Sequence, residues 1–421
     1  MIATELSPNT TRHHQIVVVG GGAAGITVTA QLLAQQRSLD IAILEPSKQH
    51  YYQPAWTLVA GGCMPFEDTV KSEQSCIPAG ATWIQEAVAQ FEPDQNSVVT
   101  QAGTRISYDY LIVCPGIQLD WEKIAGLKEA LGKDGVCSNY LVGGADYTWQ
   151  LINTFKGGNA LFTFPATPIK CAGAPQKIMY LADECFRRNG VRQQTQINYC
   201  TATPKIFGVP LFVPALTKVV ERKGIVLKVL HNLKAIDGAA KKAIFDVTTD
   251  GKTEEVALPY DIIHVTPPMS APDFIKSSPL AVEGPGGWVD VHKFTLQHNR
   301  YPNIFSLGDA SSLPNSKTAA AIRRQAPVVV QNLLALMQKK QLEAQYNGYS
   351  CCPLITGYGK TIMAEFDYDG KAYPSFPLDP TQERSSMWFL KRHVLPWVYW
   401  NRMLKGSQHE GNVLRKVAGM N

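Results

Sequence analysis

A glycine-rich turn near the start of the chain limits the possible folds more than any other feature of the sequence. The apolar run Gln15–Val19 leads directly into Gly20-Gly21-Gly22-Ala23-Ala24-Gly25, and a helix-like stretch, Ile26–Gln36, follows it. A second apolar run, Ile41–Leu44, ends at Glu45, at the spacing where an acidic residue binds a ribose. The pattern therefore predicts a strand, a glycine turn, a helix and a second strand that together bind a dinucleotide.

Each position of the turn has its own expected role. Gly20 permits the tight turn, and Gly22 lets the backbone approach a pyrophosphate. Gly25 allows the helix to pack closely on the strand, while the N–H groups of Ala23 and Ala24 point toward the phosphates. The alternative is a glycine-rich turn that binds nothing. The complete set of strand, turn, helix and acidic residue favours dinucleotide binding.

Two later segments indicate which dinucleotide is bound. Tyr108–Gly116 is an apolar strand that ends in a glycine turn, and it resembles the segment that closes the first half of the FAD domain in flavoproteins with two dinucleotide-binding domains. Asn303–Ala310 resembles their later motif, in which a strand delivers an aspartate to the ribityl chain. We expect Gly116 and Asp309 to contact the cofactor. The three motifs in this order predict FAD.

A second Rossmann unit is expected after the first, and Asn159–Phe164 has the composition of its first strand. The turn that follows, Pro165–Pro175, is rich in proline and lacks a GxGxxG pattern, so nicotinamide is not expected as the electron donor. Cys171 precedes a predicted helix, Gln176–Arg188, whose positive end and the neighbouring Lys170 would lower the pKa of the thiol. Cys171 is therefore a candidate redox thiol, with a buried structural cysteine as the alternative.

A thiol that passes electrons to a flavin usually needs a partner thiol. The segment Asn347–Leu354 contains Cys351 and Cys352, and adjacent side chains on an extended strand point to opposite faces, so at most one should face the flavin. The other cysteines form no CxxC pair and lie near no histidine cluster, so we expect buried thiols and no metal site. These are Cys63, Cys76, Cys114, Cys137, Cys185 and Cys200.

Four longer segments resemble those of sulfide:quinone oxidoreductases of the type found in mitochondria and some bacteria. The resemblance extends over nearly the whole chain, and its most specific segments are Pro168–Lys177, His264–Met269, Ser316–Ala321 and Cys352–Tyr358. It implies that Cys171 and Cys352 are the catalytic cysteines, because Cys352 directly precedes the proline of the matching segment. Cys351 is an additional neighbour, which leaves open which of the two thiols is used. His264 is expected to be an ordinary loop histidine.

The resemblance also implies a set of FAD contacts, carried over motif by motif. They are Ala23, Ala24, Glu45, Gln53, Val88, Asp309, Ala319, Ala320, Ala321 and Ile322. Lys317 is expected near the pyrimidine edge of the flavin, where a cation would stabilise the anionic reduced form, and the alternative is a solvated surface lysine. Arg323 and Arg324 depart from the pattern, which has small residues there. They either face solvent or change the rim of the flavin pocket.

The implied function is oxidation of hydrogen sulfide, with two electrons passing through FAD to a membrane quinone. Hydrosulfide would attack a disulfide, or its sulfur-bridged form, between Cys171 and Cys352, and the persulfide would form on Cys352. The released Cys171 would pass electrons to the flavin. A small acceptor such as glutathione, sulfite or sulfide would remove the sulfane sulfur, which can also leave as polysulfide. Two alternatives stay open: a type II NADH:quinone oxidoreductase-like flavoenzyme and a non-catalytic FAD-binding redox sensor.

The C-terminal region has the composition of an interfacial membrane anchor. In Met387–Leu404, tryptophan and other apolar residues alternate with basic ones, and Pro396 divides the stretch into two short helical pieces. From Ser386 onward the single acidic residue is Glu410, and the basic residues are Lys391, Arg392, Arg402, Lys405, Arg415 and Lys416. The longest apolar run, Val209–Leu216, is shorter than the roughly 20 residues of a spanning helix, so we expect monotopic binding. The alternative is a helical hairpin packed on the protein body or on another subunit.

Together these inferences predict an α/β flavoprotein similar to glutathione reductase, with two Rossmann-like domains and a C-terminal membrane-binding region. The expected parts are the first half of the FAD domain at 1–135, a second Rossmann-like domain without a nucleotide glycine motif at 136–280, the second half of the FAD domain at 281–340 and the C-terminal region at 341–421. A net charge of +5 is too small to indicate nucleic acid binding.

The expected location is the surface of a respiratory or other energy-transducing membrane. Met1–Gln15 lacks the apolar core of a secretion signal, which favours the cytoplasmic face of a bacterial inner membrane. A homo-oligomer is compatible with the sequence, which does not specify one.

Overall fold

The fold is described by a computed structural model, which covers residues 12–408. A mixed sheet and an entirely parallel sheet, both flanked by helices, make up most of the protein, and a β-hairpin and short helices follow them. Across this part of the chain, no helix combines the length and the apolar character that a membrane crossing requires. The predicted α/β class with two Rossmann-like sheets is confirmed.

The strands and helices are numbered here in chain order. The strands are β1 Arg12–Val19, β2 Ile41–Leu44, β3 Gln49–Tyr51, β4 Val70–Ser72, β5 Ala81–Ile84, β6 Val88–Glu92, β7 Ser97–Thr100, β8 Arg105–Val113, β9 Gln118–Leu119, β10 Val136–Cys137, β11 Gly158–Phe164, β12 Thr195–Thr201, β13 Val226–Lys228, β14 His231–Asp237, β15 Lys242–Thr249, β16 Lys252–Pro259, β17 Ile262–His264, β18 Met269–Ser270, β19 Ile304–Ser306, β20 Ser350–Gly357 and β21 Lys360–Phe366. The α-helices are α1 Ala23–Gln35, α2 Trp56–Ala60, α3 Glu73–Cys76, α4 Leu127–Ala130, α5 Gly144–Thr154, α6 Ala174–Arg188, α7 Val213–Lys223, α8 Asp273–Lys276, α9 Ala319–Met337, α10 Ser385–Phe389 and α11 Leu395–Asn401.

The first sheet has the strand order β5-β2-β1-β8-β7-β6, and β19 pairs with the end of β8. The strands β5, β2, β1, β8 and β19 run parallel, whereas β7 and β6 join antiparallel. Ile16–Val19 of β1 is buried along its whole length, which is typical of a parallel strand covered on both faces. The helices α1 and α9 pack against each other on this sheet.

The second sheet is entirely parallel, with the order β10-β17-β11-β12-β13. The helix α6 follows β11 and begins at Ala174, two residues before the predicted start, because Pro175 fits the first turn of a helix, where no N–H partner is needed. The chain returns to the first sheet at β19. In both sheets a central strand, β1 or β11, is followed by a turn and a helix, so the two turns occupy equivalent positions.

The C-terminal elements lie across both units. The hairpin of β20 and β21 packs against α6. A π-helical segment, Leu390–Val394, joins α10 to α11, and Pro396 lies in the first turn of α11, where proline is tolerated. The tail is thus divided into two short α-helices with Pro396 at the start of the second, as expected, and a π-helical segment joins them.

Candidate active site

One large cavity lies where the strands of the first sheet end. Its volume is about 880 Å³, within the usual range for a cofactor or small-molecule site. The turns after β1, β2, β8 and β19 all line it, so it occupies the carboxyl edge of the sheet, where doubly wound folds bind ligands. From there the cavity extends to Cys171, to Cys351 and to the C-terminal helices.

The turn after β1 fits a dinucleotide. Gly20 has φ +106°, and a side chain there would lie 2.6 Å from the carbonyl oxygen of Cys114. A side chain at Gly25 would collide with the Gly20 carbonyl, which explains the close packing of α1 on β1. A Cβ at Gly22, by contrast, meets nothing within 4 Å. The space beside Gly22 is the open cradle that a pyrophosphate would fill.

The acidic residue after β2 lies beside this cradle, as expected. Glu45 accepts a hydrogen bond from the Gly21 N–H at 2.8 Å through one oxygen and from the Ser47 N–H at 2.8 Å through the other. Burial raises the pKa of Glu45, and these two backbone hydrogen bonds oppose the rise. The carboxyl group is thus held at the position where a ribose would bind.

The opposite end of the cradle holds Asp309 and Lys317, both of which line the cavity. The ammonium group of Lys317 is buried, donates to the Ser311 carbonyl at 3.0 Å and lies 4.0 Å from the ring centre of Trp288. Burial lowers the pKa of Lys317 to about 8, against the attraction of Asp309. The alternative of a solvated surface lysine is therefore wrong.

Most of the predicted FAD residues border the cavity, and four do not. Those that line it are Gly22, Ala23, Ala24, Glu45, Gln53, Gly116, Asp309, Lys317, Ala319, Ala320 and Ile322. Gly20 and Gly25 act instead through the shape of the turn. Val88 and Ala321 are buried, Val88 in the apolar core of the first sheet, so neither side chain reaches the cavity.

The turn after β11 presents a cysteine where the first sheet has its glycines. Cys171 has φ +57°, a strained conformation for a residue with a side chain. Its N–H donates to the Lys317 carbonyl at 2.8 Å, and Lys170 forms a backbone bridge with Lys317. These backbone contacts attach the turn to the first domain, at the end of the cradle that holds Asp309 and Lys317.

Cys171 and Cys352 are partners. The Cys352 thiol donates a hydrogen bond to the Cys171 sulfur, and the Lys177 ammonium group donates to the same sulfur at 3.1 Å. The hydrogen bond from Cys352, followed by the charge of Lys177, lowers the pKa of Cys171 well below its usual value despite burial. The same contact and burial raise the pKa of Cys352. In the reduced pair Cys171 is the thiolate and Cys352 the proton donor.

The lysine that faces Cys171 is not the one expected from the sequence. Lys170 points away and donates to the Gln53 side chain at 2.6 Å, because the backbone turns sharply at Cys171. Lys177 reaches the sulfur from the first turn of α6. Helical periodicity places Lys177 near the turn and is the signal that could have identified it.

A second missed cation, Lys391, comes from the C-terminal tail. It is 2% exposed, lines the cavity and donates to the Pro54 carbonyl at 2.8 Å. Burial and the nearby charge of Lys177 lower its pKa to about 7. No sequence signal distinguishes Lys391 from the other basic residues of the tail.

The adjacent cysteines of β20 face opposite sides, as predicted for a strand. Cys352 is buried against α6, where Ser316 Oγ lies 3.6 Å from its sulfur. Cys351 faces the cavity, with its sulfur 3.4 Å from Met363 Sδ. Burial raises the pKa of the Cys351 thiol well above its usual value. Cys352 rather than Cys351 is therefore the partner of Cys171.

Two further expectations are settled by the packing. His264 ends a buried strand, accepts the Asn139 N–H at 3.0 Å and has its pKa lowered by burial to about 3, so the expected loop histidine is wrong. Arg323 lines the cavity and donates to Tyr349 Oη at 3.5 Å. Arg324 lies with its guanidinium 5.2 Å from the Tyr349 ring centre, so both arginines pack at the rim of the pocket.

The C-terminal helices are partly packed on the body and partly exposed. Tyr399 and Trp400 of α11 are buried, whereas Phe389 and Trp397 are 59% and 56% exposed. The basic Arg415 and Lys416 and the acidic Glu410 lie outside the described residues. Among residues 12–408 no cluster of side chains is arranged to hold a metal ion.

Comparison with known proteins identifies the family. The family model described as pyridine nucleotide-disulphide oxidoreductase matches residues 14–140. The mitochondrial sulfide:quinone oxidoreductase of Mus musculus is 44% identical over 411 residues, which cover 97% of this chain and 91% of that protein. The chain belongs to the sulfide:quinone oxidoreductase family. The mitochondrial enzyme of Dictyostelium discoideum is 45% identical over 394 residues, covering 93% of this chain and 86% of its relative.

Family membership confirms the predictions of an enzyme and of FAD as its cofactor. The sulfide:quinone oxidoreductase structure from Aquifex aeolicus superposes with a TM-score of 0.79 at 20% identity, covering 97% of this chain and 94% of that one, which shows the shared fold. The relatives from Mus musculus and Dictyostelium discoideum are named as mitochondrial proteins, so the expected bacterial cytoplasmic face has no support from them.

Proposed function

We propose that this protein oxidises sulfide at the Cys171–Cys352 pair and delivers the two electrons to a quinone. The observation that carries the proposal is the hydrogen bond between Cys352 and Cys171, because Cys171 lines one end of the cavity that begins at the dinucleotide cradle. Bound FAD supplies a two-electron carrier between the thiol pair and the quinone.

The first step uses the oxidised, disulfide form of the pair. Hydrosulfide attacks the Cys352 sulfur, a new sulfur–sulfur bond forms there, and the Cys171–Cys352 bond breaks with its electron pair going to Cys171. Cys352 now carries a persulfide and Cys171 is a thiolate. The attacking sulfur loses two electrons and the disulfide gains them, so the step balances.

The cations around the pair favour this direction of cleavage. The Lys177 ammonium group, 3.1 Å from the Cys171 sulfur, stabilises the thiolate as it leaves. The Cys352 sulfur has the Ser316 hydroxyl beside it at 3.6 Å, and its pKa is raised by the hydrogen bond to Cys171 and by burial, which outweigh the opposing charge of Lys177. Cys171 is accordingly the better leaving group, which assigns the persulfide to Cys352.

The sulfane sulfur then passes to a small nucleophile. A thiolate, sulfite or a second hydrosulfide attacks the outer sulfur of the Cys352 persulfide, and the Cys352 sulfur leaves with the electron pair. Both cysteines are then reduced, and their two electrons would pass to the bound FAD as the disulfide re-forms. Lys177 and Lys391 near the cysteines give the site a positive charge that attracts anionic nucleophiles.

The C-terminal helices supply the proposed route for quinone. Leu390, Val394, Leu395 and Trp397 line the far part of the cavity, which gives it an apolar wall. Phe389 and Trp397 are exposed beside that wall, so we propose that this face dips into the lipid surface and admits quinone from it.

An anaerobic turnover assay tests the chemistry. Sulfide, a short-chain quinone and a thiol acceptor are mixed with the enzyme, and sulfide loss, quinol formation and sulfane sulfur are measured together. The proposal predicts one quinol and one transferred sulfur per sulfide. Quinol formation from NADH without sulfide would overturn it in favour of an NADH:quinone oxidoreductase, and FAD that sulfide leaves oxidised would favour a redox sensor.

The membrane contact has a separate test with anionic phospholipid vesicles. Phe389→Ser combined with Trp397→Ser should reduce sedimentation with the vesicles by about tenfold, because two aromatic side chains no longer enter the interface. Val226→Ser, which alters an exposed apolar residue of the second sheet, is the control and should bind like the unaltered protein. Equal binding by all three proteins would contradict the proposed membrane face.

A further inference from the structure

Three buried side chains from distant parts of the chain form a hydrogen-bonded relay. His50 of β3 places Nδ1 at 3.1 Å from Glu73 Oε2, and its Nε2 lies 2.7 Å from Tyr399 Oη. His50, Glu73 and Tyr399 are each 3% exposed or less. The proposed active-site chemistry uses none of them, although all three border the same cavity.

The direction of the hydrogen bonds follows from Glu73. A carboxylate only accepts, so His50 Nδ1–H donates to Glu73 Oε2 and leaves Nε2 to accept the Tyr399 hydroxyl. Burial, with a smaller contribution from Tyr52, raises the pKa of Tyr399 well above its usual value, so the phenol keeps the proton that it donates. Ring packing fixes the relay, since His50 also contacts Trp400 edge to face and Tyr52 packs 4.5 Å from Tyr399.

The relay ends at the dinucleotide cradle. Glu73 Oε1 has no hydrogen-bond partner among the described residues, although it is buried. It lies 2.7 Å from the position of a Cβ on Gly21, and the side chain of Glu45 lies equally close to the same position. Two carboxyl groups therefore flank the turn where the adenosine ribose of FAD would bind.

An unpaired buried carboxylate oxygen is costly, so a donor is expected beside it. The ribose hydroxyls of a bound dinucleotide are donors. Each Glu45 oxygen already accepts one backbone N–H, from Gly21 or Ser47, whereas Glu73 Oε1 accepts none among the described residues. The end of α11 also borders this part of the protein, since Tyr399, Arg402 and Met403 line the cavity.

We propose that Glu73 is a second acidic ligand of the adenosine half of FAD, and that Tyr399 positions it through His50. The C-terminal helix α11 then takes part in retaining the cofactor as well as bordering the quinone route. The inference rests on the proposed function only in that FAD is the bound group, and it is independent of sulfide chemistry.

Release of FAD from the holoenzyme tests the proposal. After dilution, the rise of free flavin fluorescence gives the release rate, which Glu73→Gln should increase by about tenfold and Tyr399→Phe by several-fold, as expected for loss of a buried hydrogen bond. The control is Tyr358→Phe, which removes a partly buried tyrosine hydrogen bond of 2.7 Å, to the Gly61 carbonyl, outside the cavity. It should release FAD at the unaltered rate.

Two further readouts separate cofactor contact from general destabilisation. Enzyme loaded with FMN by exchange should release FMN equally fast in all variants, because FMN has no adenosine half. Glu73→Gln combined with Tyr399→Phe should release FAD no faster than Glu73→Gln alone, since Tyr399 acts through Glu73. If Glu73→Gln does not fold, Tyr399→Phe with its Tyr358→Phe control and the FMN comparison decides the question.

Unchanged FAD release in Tyr399→Phe, or equally accelerated release of FMN, would overturn the proposal. The release assay uses no sulfide and no quinone, so its outcome does not depend on the proposed enzyme chemistry. That chemistry is tested separately by the anaerobic turnover assay on the unaltered enzyme.

Discussion

The turns after β1 and β11 occupy equivalent places in two parallel sheets but differ in what they expose. The first turn carries Gly22, beside which a side chain would find open space, and a dinucleotide fits there. The second turn carries Cys171 in a left-handed conformation, bonded through its backbone to Lys317 of the first domain. One topology thus offers an open cradle for the cofactor in one sheet and, in the proposed function, a reactive thiol in the other, and the side chains of a short turn decide which.

The largest expected effect is that of removing either thiol on the rate at which sulfide reduces the flavin. Cys171→Ser and Cys352→Ser should each slow reduction of the flavin by sulfide about a thousandfold or more, because the two sulfurs act as one unit. Both variants should keep FAD, since the first turn is unchanged. Stopped-flow flavin absorbance is the measurement.

Cys351→Ser is the matched control for the pair. It alters the neighbouring residue of the same strand, whose side chain faces the other way, and should be reduced by sulfide at nearly the unaltered rate. A loss in Cys351→Ser equal to that in Cys352→Ser would contradict the assignment of the pair.

The next largest effect is expected on FAD affinity when a side chain is placed at Gly22 in the first turn. Gly22→Ala should weaken FAD binding by about 1–3 kcal/mol, or roughly 5-fold to 150-fold, because the new methyl group occupies the space of the pyrophosphate. Thermal unfolding of the cofactor-free protein should not change, since that Cβ contacts no protein atom within 4 Å. Unchanged FAD binding, measured by equilibrium fluorescence, would mean that the cradle lies elsewhere.

The ammonium group of Lys177, beside the second turn, should set the pH dependence of Cys171 reactivity. Lys177 lowers the pKa of Cys171, so in the reduced enzyme the thiolate persists as the pH falls below the usual thiol range. Lys177→Met raises that pKa, and alkylation of Cys171 by iodoacetamide near pH 6.5 should slow by about tenfold. Lys177→Arg keeps the charge, so alkylation of Cys171 should slow much less in this variant. An identical pH profile in Lys177→Met would exclude this role.

The smallest effect is expected from the other lysine of the second turn. Lys170→Met should leave the alkylation profile of Cys171 close to that of the unaltered enzyme, because Lys170 bonds to Gln53 instead of the sulfur. The same iodoacetamide assay checks this. A shift as large as that of Lys177→Met would show that sequence adjacency, rather than the geometry of the turn, controls the thiol.

The sequence predicts the regular parts of both sheets well. β2 has the predicted bounds Ile41–Leu44, because a buried parallel strand is a continuous apolar run. α1 begins at Ala23 rather than Ile26, since the small residues of the glycine turn are already helical. The cofactor residues in motifs could be placed because their spacing fixes where the strands end.

Contacts between distant segments could not be predicted in this way. Lys391 reaches the cavity because α10 and α11 fold back over the first domain, a packing that no local pattern encodes. The conformation of Cys171 turns Lys170 away from the sulfur, which adjacency in the sequence does not reveal. The C-terminal helices pack one face on the protein body and leave the other face exposed, an arrangement that composition alone does not distinguish from a fully exposed helix.

The most direct test of the account compares two electron donors on one sample. Anaerobic enzyme is mixed with sulfide in one stopped-flow experiment and with NADH in another, and flavin absorbance is followed before a short-chain quinone is added. If electrons enter through Cys171 in the turn after β11, sulfide should bleach the flavin rapidly, quinone should restore its absorbance and NADH should not bleach it. Bleaching by NADH with no response to sulfide would contradict the central claim that the second turn supplies electrons through a thiol.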